Sequence, residues 1–255
     1  MNLDEFLMQE LSLSKKKAYE IAGAVDKYNK TKGKLKEKKE KNKLNISIPN
    51  YSLGEEIFNS VSHGIGALLA IAMLVLMVVK AKGALAITTC SLFGATAIIL
   101  YIISCIYHAL SKNLEGKKVL RVIDHCNVYM LVYGTYIPMF FIGIGGRLGW
   151  IFLIVISLVT ILGIVLTAIN VDKSTKIEVI CHLANGWAAI VAIPKLLQSM
   201  GTGGVVFLIL GGLMYTIGSV LYGVGHKIKY THCVFHIFCL LGTLFHFLCI
   251  YMYLL

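Results

Sequence analysis

Seven stretches of this chain are each long and apolar enough to cross a bilayer. A hydrocarbon core is traversed by roughly 20 apolar residues in helix, because no water is present there to satisfy an exposed backbone. The windows are 57–79, 84–108, 122–143, 149–169, 177–198, 204–224 and 232–254. The breaks between them, "KAKGA", "SKNLEGKKVLR", "GIGGRLG", "NVDKSTK", "QSMGTGG" and "GHKIKYT", are punctuated by Gly, Lys and Asn. The expected fold is all-α: a polytopic membrane protein whose residues 51–255 form a seven-transmembrane helix bundle. A mean hydropathy of +0.77 excludes an ordinary soluble domain. Pro138 and Pro194 fall inside the third and fifth windows, where each should kink its helix.

The charges fix an orientation. Residues 1–50 carry 12 Lys against 7 acidic residues, which makes them a basic tail. The tail is expected to be partly helical, and disordered over the lysine-rich run 30–43. It has neither the continuous apolar run nor the small-residue cleavage site of a secretory signal. Among the loops, those after windows two, four and six hold 8 Lys and Arg, and those after windows one, three and five hold 4. The positive-inside rule then puts the N-terminus in the cytoplasm and the C-terminus outside. The chain reads as an integral, multi-pass protein of the cell membrane. The bilayer is its first partner, and its tail can touch anionic lipid; no nucleic-acid partner is expected. The seven cysteines lack any C-x-x-C pair and sit mostly in apolar runs, so neither a disulfide framework nor a cysteine zinc site is read.

Threading the chain with this topology brings distant polar residues level. His108 ends the second window, Asp124 opens the third, and His232 and His236 open the seventh, all at the cytoplasmic side. His63, His125, His182 and His226 lie near the same side and are each read as polar bundle contacts. His232 and His236 are four residues apart, on one face and one turn apart, a spacing that lets two imidazoles share a metal. His246 shares that face but lies about 21 Å beyond His232, too far for the same ion. It is expected to pack against, and hydrogen-bond to, a neighbouring helix. Ser104 and His108 repeat the four-residue spacing on the second window. An ionised Asp124 at membrane depth needs a partner, and a divalent cation or its water would be one. Three histidines with a fourth position open is the donor set of a catalytic zinc, which lowers the pKa of its bound water to about 7. Asp124 is placed to orient that water or to act as general base.

Three motifs carry a resemblance. "EEIFNSVSHGIG" (55–66) holds Glu56, Asn59 and His63, and "SCIYHALSKNLEGKKVLRVIDHCNVYMLVYGTYIPMF" (104–140) holds Ser104, His108 and Asp124. "YTHCVFHIFCLLGTLFH" (230–246) holds His232 and His236. In combination they resemble the hemolysin III branch of the progestin and adipoQ receptor superfamily, over about residues 52–255. The resemblance implies a seven-helix bundle with an intracellular N-terminus and zinc held by His108, His232 and His236. It implies that Asp124 holds the zinc-bound water with Ser104 beside it, and that His63 is a motif position but not a ligand. It also implies a ceramidase-like hydrolysis of lipid amides, with a membrane lipid as substrate or ligand. Two further functions stay open: a non-enzymatic, receptor-like or structural bundle tied by zinc, and a pore-forming cytolysin.

Overall fold

The structure is a computed structural model that describes every residue except Met1, Leu13, Asn42, Lys43, Asn45, 172–174, His226 and Lys227. The chain divides into two compact units, Met1–Asn45 and Ile46–Leu255. His226, expected near the cytoplasmic side, lies outside the described residues.

In the first unit, α1 (Leu3–Gln9) starts at a capping box in which Glu5 reaches back to the Asn2 amide at 3.0 Å. Helix α2 (Lys15–Lys41) then runs through most of the lysine-rich stretch where composition predicts disorder. The physical reason is propensity. Lys and Glu are good helix formers, proline is absent, and Asp26 and Lys30 stand at the four-residue spacing that favours helix. Leu7 and Ala18 are the buried apolar contacts of this unit.

Among its described residues the second unit contains helices and no strand. It comprises α3 (Leu53–Lys80), α4 (Ala84–Ala109), α5 (Glu115–Pro138), α6 (Gly146–Asn170), α7 (Thr175–Trp187), α8 (Ile193–Val224) and α9 (Thr231–Tyr253). Each helix packs on the next, and α9 returns to α3, so the bundle closes on itself. Large apolar residues also face outward, among them Leu68, Val79, Ile161 and Val191. Helices that are apolar all round need lipid, not water, as their outer solvent. Six helical stretches among the described residues are long and apolar enough to span a membrane.

The stretches differ from the sequence windows in one place. Windows 177–198 and 204–224 fall within a single 49-residue stretch, Lys176–Val224. At 1.5 Å per residue a straight helix of that length would exceed twice the hydrocarbon thickness. It is not straight. Gly201 adopts φ 66° and ψ −177°, outside any helical region and open mainly to glycine. The two arms fold back on each other: Tyr222 donates to Glu178 at 2.9 Å, and Trp187 Nε1 donates to Thr216 at 2.9 Å. Both prolines also disturb their helices as expected. Pro138 leads into a π-helical turn (Met139–Ile144), and Pro194 follows a 3-10 turn (Ala188–Ala192).

Glycines bring the helices close. A Cβ on Gly134 of α5 would lie 2.0 Å from Thr96 Oγ1 and 3.0 Å from Thr96 Cβ on α4. Thr96 is too short to swing clear. Gly134→Ala should therefore destabilise the bundle by about 1–3 kcal/mol, seen as a lower melting temperature in detergent. Adding Thr96→Ala should restore most of that loss, because the clashing hydroxyl is removed.

Candidate metal centre

The closed ring explains why three histidines meet. The start of α3, the end of α4 and the start of α9 lie at one end of the bundle, with α3 packed against both of the others. His108 sits in the last turn of α4, and His232 and His236 sit on the first turns of α9. Their donor atoms all lie within 4.8 Å of one another. The three side chains are buried, with 2%, 6% and 1% of their surface exposed.

The donors are aimed. His108 Nδ1 meets Glu56 Oε2 at 2.7 Å, and His236 Nδ1 reaches the Asn59 carbonyl and, at 3.4 Å, the Ser62 hydroxyl. When Nδ1 carries the proton, the lone pair is left on Nε2. His108 Nε2 is buried without a hydrogen-bond partner. His232 Nε2 and His236 Nε2 face each other at 3.2 Å. Two nitrogens on one tetrahedral zinc, each at 2.0–2.1 Å, stand roughly 3.3 Å apart. The orphaned nitrogen, this spacing and three imidazole donors, two of them backed by a carboxylate or a carbonyl, all fit a metal ion.

Glu56 is more than a single hydrogen-bond partner. Its other oxygen accepts from Lys117 Nζ at 2.8 Å, and Lys117 is fully buried and also donates to the Leu110 carbonyl. The carboxylate is thus compensated on both sides, which a buried charge requires. Tyr51 covers the cluster from the preceding segment, stacked on His232 with ring centroids 4.8 Å apart.

Asp124 and Ser104 lie one step away. The Ser104 side chain hydrogen-bonds to Asp124, and both line one cavity with His63, His232 and His236. Asp124 does not join the group of three donors. His63 stacks on His236 at 3.7 Å with both of its nitrogens buried and unpartnered. On the opposite wall His125 Nδ1 lies 2.6 Å from Glu178, and His182 lies 3.4 Å from the His125 carbonyl. The cavity shares Val128, His182, Ser219, Phe235 and Cys239 with a larger chamber between α5, α7, α8 and α9. That chamber is lined mainly by apolar side chains such as Val132, Ile190, Leu208 and Ile209. His246 faces it and meets the Leu208 carbonyl of α8 at 3.2 Å, the interhelical bond expected of it.

Residues 51–247 match the family described as Haemolysin-III related. The chain belongs to that family. Among its relatives, Hemolysin-3 of Bacillus cereus is 32% identical over 204 residues, which cover 79% of this chain and 92% of the relative. A Hemolysin-3 homolog of Bacillus subtilis is 32% identical over 206 residues, covering 80% of this chain and 96% of the relative. Together with its apolar helices, the family makes this haemolysin III-related chain a multi-pass membrane protein in contact with the lipid bilayer.

Two parts of this haemolysin III-related site escaped the sequence. Glu56 has no assigned role there, because an acidic residue in a helix's first turn is ordinary. Glu178 pairs with a histidine on a helix remote in sequence, so no local pattern marks it. If Glu56 orients His108, Glu56→Gln should weaken metal binding by about 10–100-fold in a chelator competition assay. Glu115→Gln, which removes only an exposed partner of Lys118, serves as the control, and equal effects of the two would refute the assignment.

Proposed function

We propose that this protein is a zinc-dependent membrane hydrolase that cleaves a lipid amide. The observation that carries the reading is a buried three-histidine donor set, with an unpartnered nitrogen, opening onto an apolar chamber. Three neutral imidazoles suit zinc among the transition metals they can bind, and His108, His232 and His236 would hold it. When bound, it supplies a Lewis acid and a water acidic enough to attack at neutral pH.

The chain's own residues carry the remaining work. The chamber takes the acyl chain and so presents the amide carbonyl at the histidine end. Ser104 fixes the Asp124 carboxylate by hydrogen bonding. Asp124 takes a proton from the attacking water and returns it to the departing nitrogen as the C–N bond breaks and the new C–O bond forms. Glu56 and Asn59 orient the histidines but touch neither water nor substrate.

The membrane arrangement that supports this reading has seven crossings. The two arms of the Lys176–Val224 hairpin count separately, which leaves an odd number and opposite termini. The excess of Lys and Arg favours a cytoplasmic N-terminus, placing the histidine cluster near the cytoplasmic face. The basic tail, residues 1–50, is then on the side of the anionic leaflet, whose surface potential attracts lysines.

The names of the two Bacillus relatives favour a second reading, lysis by a pore. Continuous apolar crossings weigh against it, since an integral protein is made in the membrane, not released as a soluble toxin. Turnover of a panel of N-acyl lipids, ceramide among them, tests the main proposal. Asp124→Asn should lower the rate by about 10²–10⁴-fold while metal content is retained. His236→Ala should lose both. Undiminished turnover in both variants would overturn the hydrolase reading. Leakage of liposomes that survives both substitutions would support the pore instead.

A further inference from the structure

Among the described residues lining the apolar chamber beyond the histidine cluster, His246 carries a ring nitrogen that is buried without a partner. His246 Nε2 lies 3.2 Å from the Leu208 carbonyl, which can only accept, so Nε2 carries the proton. Nδ1 of the neutral ring is then an acceptor, and it is buried without a partner. Turning the ring over would give up the bond to Leu208. A Cβ on Gly211 would fall 2.2 Å from His246 Cδ2 and 2.4 Å from Nε2. That edge is seated against the α8 backbone, and the edge carrying Nδ1 is turned away from Gly211.

Deep in the chamber the other polar side chains are bonded within the protein, while Ser219 and His182 lie where it meets the histidine cavity. Tyr136 donates to the Asn185 and Gly186 carbonyls. The Tyr215 hydroxyl pairs with Thr243, and the Thr216 hydroxyl accepts from Trp187. Among the described residues lining the chamber, His246 Nδ1 is the buried side-chain atom without a partner. A buried acceptor in a mainly apolar space selects for a donor. His246 lies ten positions after His236 on α9, or about 15 Å along the axis. An extended acyl chain covers that length in about a dozen carbon–carbon bonds.

We propose that His246 recognises a hydroxyl group carried partway along the acyl chain of a bound lipid, which makes the protein selective for mid-chain hydroxylated lipids. The proposal rests on the lipid-cleaving reading, since the chain's carbonyl must sit at the histidine cluster for the spacing to apply. His246 is a specificity residue here and takes no part in the chemistry.

Equilibrium binding separates the two ideas. Purified full-length protein in nanodiscs, with and without metal, is titrated with stearate and with a hydroxystearate whose hydroxyl lies about a dozen carbons from the carboxylate. Trp187, which lines the chamber, provides a fluorescence signal. The hydroxylated acid should bind about tenfold more tightly. His246→Phe should collapse the ratio of the two constants to about one, and His246→Gln, which keeps an acceptor, should retain part of it. Equal affinities in the wild-type protein, as when a fixed water satisfies Nδ1, would overturn the assignment of His246 and leave the lipid reading standing. Failure of both acids to bind would overturn both.

Discussion

The bridge made by Glu56 holds the rest of the site in place. One carboxylate, on the first turn of α3, binds an imidazole of α4 on one side and an ammonium of α5 on the other. Each of these groups would be expensive at such burial by itself, and together they compensate one another. The same short segment also reaches α9. Glu55 accepts from the Tyr230 amide at 2.8 Å, where a left-handed residue starts that helix, and Asn59 and Ser62 meet His236. Helix α3 thus contributes no donor to the histidine group, yet it positions both helices that do.

Polarity is distributed unevenly along the bundle. Charged and imidazole groups gather at the end where α3 and α9 begin, and the chamber behind them is nearly all hydrocarbon. In a low-dielectric interior each polar group must find a partner locally, which favours clustering over scatter. The hydroxyls of Tyr101, Thr243 and Tyr215 form a small bonded group between the two regions. The outward faces, meanwhile, remain apolar along their length, as contact with acyl chains requires.

Much of this was legible in the sequence because the membrane imposes coarse rules. The windows 84–108 and 232–254 correspond closely to Ala84–Ala109 and Thr231–Tyr253, since Gly and charged loops bound them sharply. The three histidines could be grouped because threading fixes depth even when it says nothing about rotation. What stayed hidden depends on rotation and on local bonding. The pairing of Glu178 with His125 needs α5 and α7 to present particular faces to one another. The Gly201 hairpin reads as two windows in sequence, yet its connection is so short that helical bonding runs up to it from both sides. Residues 30–41 defeated composition in the opposite sense, because a lysine-rich run without proline is a good local helix even when it buries little.

The placement of the three donors along the chain sets an order of assembly. His108 comes with α4 and meets Glu56 of α3, Lys117 joins them with α5, and three further helices follow before α9. Only when α9 docks on α3 do the remaining two donors arrive. Docking the final helix and completing the histidine group are therefore one event. A metal taken up there would latch the ring at its seam, favouring the closed bundle over one whose last helix is still adrift in lipid.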